Sequence, residues 1–182
     1  MRKDFGKKTW CMPLPVAILG TYDENGVPNA MNAAWASIYD TNQVFVSLGQ
    51  HKTTDNFKAT GAFTMSFATK TTLVESDYFG IASGKDENKI AKANFHAIKS
   101  DKVNAPLFEE YPLTLECTID SFEEGNLVGN IVNVSVDEAY IKEDGSIDID
   151  KMEIISFDSV SHTYRVLGPV VGNAFKDGLK LK

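Results

Sequence analysis

The sequence predicts a mainly β domain, an antiparallel barrel or sandwich with short helical excursions. Three observations point there. Short runs rich in Val, Ile, Phe and Tyr recur along the chain and are bounded by turn residues. The helical candidates are few and short. The repeating strand–helix–strand alternation of a doubly wound parallel sheet is missing.

The elements follow in order. Val16 to Tyr22 is a β-rich apolar run, and Asp23-Glu24-Asn25-Gly26 is a turn signal in which Gly26 can take a positive φ. Asn29 to Ile38 reads as the returning strand, and Gln43 to Leu48 as a third, so the chain opens as an antiparallel meander. A helix follows, with Thr53 or Thr54 as N-cap, Asp55 in the first turn and Gly61 at the end. Ala62 to Phe67 alternates as a strand. Thr72 to Phe79 and Asp86 to Phe95 are helical candidates. Leu113 to Phe122 alternates, with Leu113, Leu115, Cys117 and Ile119 on one face and Thr114, Glu116, Thr118 and Asp120 on the other. Gly125-Asn126 turns the chain into a long strand from Leu127 to Ile141. Ile154 to Phe157 and Tyr164 to Leu167 are short β candidates.

Length and composition fit one globular domain over residues 1–182. The chain is 43% hydrophobic and 24% charged, within the range of ordinary soluble proteins, and holds no repeat or low-complexity linker. Its net charge of −7 argues against nucleic acid and anionic membranes as partners. The acid is concentrated: residues 101–160 hold 15 Asp/Glu and 3 Lys/Arg, so an anion site is expected elsewhere. Cys11 and Cys117 show no paired spacing, which fits a reducing compartment; three scattered histidines make metal chemistry a poor expectation. The basic and apolar start is interrupted by Pro13 and Pro15, so a signal peptide is not expected, and the cytoplasm is.

Four segments could carry chemistry. Asn29-Ala30-Met31-Asn32-Ala33-Ala34-Trp35 places small residues and two amides where bulky β-branched side chains are usual. Small side chains admit a flat ligand, and amides both donate and accept; a narrow barrel interior would use the same residues. His51-Lys52-Thr53-Thr54-Asp55-Asn56 lies where a strand gives way to a helix. Free N–H groups, hydroxyls and an ammonium make an anion pocket there, or an ordinary helix cap beside a solvated lysine. Ser83, Gly84, Lys85 and Lys89, in GIASGKDENK, offer a second such loop. Near the end, Ser161-His162-Thr163-Tyr164 sets an imidazole close to a phenol. Dinucleotide, P-loop, nucleophile-elbow and metalloprotease motifs are absent from the sequence.

Taken together, these pieces resemble the flavin reductase-like, FMN-binding split-barrel family, in particular its flavoredoxin-like branch. The resemblance is carried by PVAILGTYDENGVPNAMNAAW, VFVSLGQHKTTDNFKATGAFTMSF, DYFGIASGKDENKIAKANF, VNAPLFEEYPLTLEC and HTYRVLGPVVGNAF, in that order. It implies a Greek-key antiparallel split barrel, a homodimer, and FMN near the subunit interface. Residue by residue, it implies that Asn29, Met31, Asn32, Ala34 and Trp35 line the flavin and that Ser47 leads into the phosphate loop. His51, Lys52, Thr53 and Thr54 match the phosphate-binding segment, and Ser83, Gly84 and Lys89 the loop closing over the same cofactor. His162 and Tyr164 match a late segment near the flavin.

The resemblance also implies an oxidoreductase, an NAD(P)H-dependent flavin reductase or else an FMN electron carrier reduced by a protein partner. Such chemistry belongs to the cofactor, which accounts for a sequence with no recognisable catalytic triad and leaves no catalytic side chain assigned. One departure stands out. Many members have an arginine near His51-Lys52, where this chain offers the point charge of Lys52, so a more loosely held flavin is expected.

Overall fold

A computed structural model describes all 182 residues. The chain enters through β1 (Leu14–Pro15) and runs β2 (Ala17–Tyr22), β3 (Pro28–Ala33), β4 (Ala36–Asp40) and β5 (Gln43–Ser47). The predicted turn joins β2 to β3. Asp23 Oδ1 accepts from the Asn25 and Val27 N–H groups, each at 2.9 Å, and Gly26 takes a φ of +76°. Helix α1 (Lys52–Thr60) follows and ends at Gly61, whose φ of +63° lets its N–H reach back to the Phe57 carbonyl at 2.9 Å. Next come β6 (Ala62–Phe67), α2 (Leu73–Ile81) and the single turn α3 (Lys89–Lys92). The short hairpin β7 (Ala97–Lys99) and β8 (Pro106–Phe108) precedes the long hairpin β9 (Leu113–Glu123) and β10 (Asn126–Val136). A turn α4 (Ile149–Met152), then β11 (Ile155–Asp158) and β12 (Thr163–Val166), complete the domain.

Seven strands form one antiparallel sheet in the order β3-β2-β6-β9-β10-β5-β4. Its two edges, β3 and β4, are consecutive in the chain and separated only by Ala34 and Trp35. Three Cα–Cα links span at most about 11 Å. Seven strands laid flat would place their edges roughly 29 Å apart. The sheet therefore has to curl until its edges meet, which makes it a barrel split beside Trp35. This is the split-barrel fold, mainly β with few short helices. A three-stranded sheet, β1-β11-β12, and the β7-β8 hairpin pack outside it.

The curl creates two cores. Leu19, Met31, Val44, Val46, Phe57, Phe63, Leu115 and Leu127 fill the barrel. Val16, Ile18, Phe79, Phe108, Tyr111 and Ile155 pack between its outer face, α2 and the two small sheets. Strand β2 feeds both cores from alternate residues, so Val-Ala-Ile-Leu reads as a continuous apolar run.

Four expectations need correction. Asn29 to Ile38 is two strands, because the barrel closes at 34–35. The N-cap of α1 is His51, not Thr53 or Thr54. Asp86 to Phe95 is helical only over Lys89–Lys92. The strand from residue 127 ends at Val136, where Asp137 opens a short turn. No helix is long and apolar enough to cross a membrane.

Candidate functional site

Three stretches separated in sequence meet at one cleft along the edge strand β3, a cavity of about 250 Å3. Strand β3 brings Asn29, Met31 and Asn32. The start of α1 brings His51, Lys52 and Thr53. The loop after α2 brings Ser83, Gly84 and Lys89. The two cationic turns thus face a single space.

Local packing explains the convergence. Asn29 is buried and its amide donates to Thr53 Oγ1 at 2.9 Å, tying β3 to the helix start. Asn56, one turn further on, donates to Thr21 Oγ1 at 2.9 Å and fixes α1 against β2. Gly84 then seats against both: a Cβ there would lie 2.1 Å from Asn29 Oδ1 and 3.3 Å from Lys52 Cδ. Gly80 similarly lets α2 approach Asn32, whose amide donates to the Ser76 carbonyl at 2.9 Å.

The electrostatics favour an anion. Lys52, Lys85, Lys89 and His51 line the cleft, and no carboxylate does. At the start of α1 the Lys52 and Thr53 N–H groups precede any intrahelical acceptor, and the helix dipole adds partial positive charge. Lys52 is offset by Asp23, Nζ to Oδ2 3.3 Å, and Lys85 by Asp55, at 2.9 Å. The Asp23 carboxyl is held below its ordinary value by the Val27 N–H, with the Asn25 N–H and Lys52 assisting against burial.

Lys89 differs from the other lysines. It is only 4% exposed, its ammonium donates to the Phe79 carbonyl at 3.1 Å, and it forms no ion pair. Burial pulls it down to about 8, opposed by Glu87 and assisted by Lys52. A buried ammonium beside free helix N–H groups, with a glycine seat and no acid in the lining, fits a phosphate monoester.

The other expected residues lie elsewhere. Thr54 is buried beneath the helix start, where its hydroxyl donates to the His51 carbonyl at 2.7 Å and accepts the His51 N–H. Ala34 is half-buried at the barrel split. Trp35 and Ser47 border a second, apolar cleft with Trp10, Leu14 and Phe45. Tyr164 stands behind the first cleft. Its hydroxyl donates to Asp77 Oδ1 at 2.5 Å, and burial, then Asp77, push it up to about 12. The Asn32 amide also bears on that phenol. His162 lies on the β11–β12 connection against Phe157, with ring centroids 6.0 Å apart.

The end of α2 was missing from the sequence reading. Phe79, Gly80 and Ile81 form one wall, and Phe79 supplies the carbonyl that holds Lys89. The signal was the pair Gly80 and Gly84 around a short apolar stretch.

The family model described as "Flavin reductase like domain" matches residues 9–148. A protein of Archaeoglobus fulgidus is 30% identical over 129 residues, covering 67% of this chain and 72% of its own. The structure of the flavoredoxin of Desulfovibrio vulgaris (Miyazaki F) superposes with a TM-score of 0.94 at 34% identity, over 98% of this chain and all of that one. The flavoredoxin from Methanosarcina acetivorans superposes at 0.88 with 26% identity, over the whole of both chains.

Proposed function

This chain belongs to the flavin reductase-like domain family, and on that premise we propose that it is an FMN-binding oxidoreductase that draws reducing equivalents from NAD(P)H. The carrying observation is the acid-free cleft in which buried Lys89 faces the start of α1. These residues fit the terminal phosphate of FMN. Lys52, Lys89, the Lys52 and Thr53 N–H groups and the Ser83 hydroxyl would hold it, with Asn29, Met31 and Asn32 beside the rest of the cofactor. Bound FMN would supply the centre that accepts hydride and releases electrons. The chain itself provides placement. Asn32 is oriented by the Ser76 carbonyl and backed by Tyr164, whose raised pKa keeps the phenol protonated and donating to Asp77.

A homodimer is part of this reading. Trp35 is 58% exposed at the split, and the last residues leave Val170, Val171 and Phe175 uncovered. Such apolar groups are suited to a second copy.

A second reading, an FMN electron carrier serving a protein partner, is favoured by the full-length similarity to two structures described as flavoredoxins. One experiment separates the two. Protein loaded with FMN is mixed anaerobically with NADH or NADPH, and flavin absorbance is followed. Rapid bleaching by either nucleotide is expected; bleaching only by a reduced protein partner would select the carrier. Failure to retain any flavin would sink both.

Lys52→Ala should weaken FMN binding about tenfold, the usual worth of one charged hydrogen bond. It should leave the melting temperature nearly unchanged, since the Lys52–Asp23 pair is partly exposed. Fluorescence titration checks the first and a thermal melt the second; equal FMN affinity would remove Lys52 from the site.

A further inference from the structure

Two apolar features of the chain lie uncovered and match each other. The first is a cleft of about 510 Å3 at the barrel split, walled by Trp10, Cys11, Leu14, Trp35 and Phe45, with Lys8 as its one charged lining residue. Both of the chain's tryptophans stand in this wall, and both are exposed. The second is the arm 168–182, every residue of which is exposed. The arm is nonetheless organised. The Asn173 N–H donates to Asp177 Oδ2 at 2.7 Å, the Asp177 N–H donates back to the Asn173 carbonyl at 3.1 Å, and every hydrogen bond the arm makes is internal. This turn holds Phe175 at a φ of +62°, in the left-handed region that bulky side chains avoid, with its ring 99% exposed. A strained backbone that displays an aromatic ring to water serves contact with another surface, not the stability of its own domain.

We propose that the arm of one copy crosses to a second copy and seats Phe175 in that copy's Trp10–Trp35 cleft, so that two chains close each other's aromatic cleft. The inference rests on the homodimer reading. Topology argues against the arm closing its own cleft. In the sheet β1-β11-β12, Leu14, Phe157 and Tyr164 lie in one row. Trp10 and Cys11 continue beyond Leu14 on the side of Ser159, whose hydroxyl donates to the Cys11 carbonyl at 3.1 Å. The arm leaves from the opposite end, where the Leu167 N–H donates to the Ile154 carbonyl. Strand β12 therefore delivers the arm about 10 Å past that row, running away from the cleft. An uncovered prong and an uncovered socket on one chain, directed apart, complete each other across a two-fold axis. The second copy then adds an aromatic ring beside Trp35, in the stretch that also carries Asn32 of the cationic cleft.

The test uses the whole chain, freed of any flavin. Phe175→Cys places a thiol opposite Cys11, the cleft's own cysteine, while Cys117 is buried and does not compete. Oxidation with copper–phenanthroline should give a covalent dimer, and that dimer should be lost when Phe175→Cys is combined with Cys11→Ser. In a second experiment, Phe175→Gly keeps the turn free of strain and removes only the ring. It should weaken dimerisation at least about tenfold in sedimentation equilibrium, as loss of a buried aromatic anchor does. It should also shift the tryptophan emission to the red, because both tryptophans stand in the emptied cleft. An intramolecular disulfide, no disulfide, or one that persists without Cys11 would overturn the exchanged arm in a protein that remains dimeric. So would unchanged dimerisation and emission in Phe175→Gly. A native chain that is monomeric at every concentration would overturn the homodimer reading, and the arm with it.

Discussion

Replacing Lys89 by methionine should lower FMN affinity about a hundredfold, the upper range for a hydrogen bond to a charged group. The reason is placement. The Lys89 ammonium is buried, has the Phe79 carbonyl as its protein partner, and forms no ion pair, so a bound phosphate would supply its missing counter-charge. Methionine keeps the length of the stem and removes a charge that is costly to bury. The variant should therefore melt at or slightly above the native temperature, separating lost binding from lost folding. A pH signature follows as well. Burial lowers the free-state pKa of Lys89 to about 8, and an anion beside it stabilises the protonated form. The bound pKa is then the higher of the two, so affinity is complete below the free pKa and falls as pH rises through about 8. Fluorescence titrations between about pH 7 and pH 10 should show this fall in the native protein, at most about tenfold per pH unit, and none in the methionine variant. Lys52→Ala should retain the fall at a weaker starting affinity. An unaltered affinity in Lys89→Met would remove this lysine from phosphate recognition.

The parts of the molecule governed by local chemistry were legible in the sequence. Gly26 takes the positive φ assigned to it, Gly61 ends α1 as expected, and the strands at 17–22, 43–47, 62–67 and 113–123 follow the β-rich and alternating runs. What could not be read was imposed by distant contacts. The break at Ala34 and Trp35 exists because the sheet edges meet there, and no periodicity marks it. Thr114 and Glu116 alternate as a solvent face yet are buried. The 97–108 segment covers Glu116, which accepts from the Ser100 hydroxyl and from the Asn133 amide, while the Thr114 hydroxyl pairs with that of Ser66 at 2.8 Å. The 86–95 segment was expected as a helix, but Asn94 adopts a φ of +55°, and Lys89 is drawn inward to the end of α2. The site follows the same division. Its residue types stood out as amides in one stretch and as hydroxyls, lysines and a glycine in two others. Their meeting in one cleft depends on Asn29 reaching Thr53 and on Gly84 fitting between Asn29 and Lys52.

Gly20 is where that dependence on close approach should be most costly to disturb. Gly20→Ala should destabilise the fold by about 3 kcal/mol, combining overpacking with a strained buried hydrogen bond. Gly20 sits in β2 between Ala30 of β3 and Thr64 of β6. A Cβ there would lie 2.4 Å from Thr64 Oγ1, 2.9 Å from Phe108 Cε2 and 3.0 Å from the Pro106 carbonyl. None of these can yield cheaply. The Thr64 hydroxyl donates to the Pro106 carbonyl at 2.6 Å, and Phe108 packs among Phe95 and Tyr111. The added methyl must either break that bond or push the β7–β8 hairpin off the sheet. At about 2–4 °C per kcal/mol for a chain of this size, the melting temperature should fall by about 10 °C. A double-mutant cycle identifies the cause. Thr64→Ala vacates the space that the new methyl claims, so it should cost less beside Gly20→Ala than in the native chain. Additive losses would place the strain elsewhere. The damage should also reach the cleft, because Thr21, the next residue, anchors Asn56 and with it the start of α1. FMN affinity in Gly20→Ala should drop even at temperatures where the protein remains folded, a coupling that a purely local packing defect would not produce.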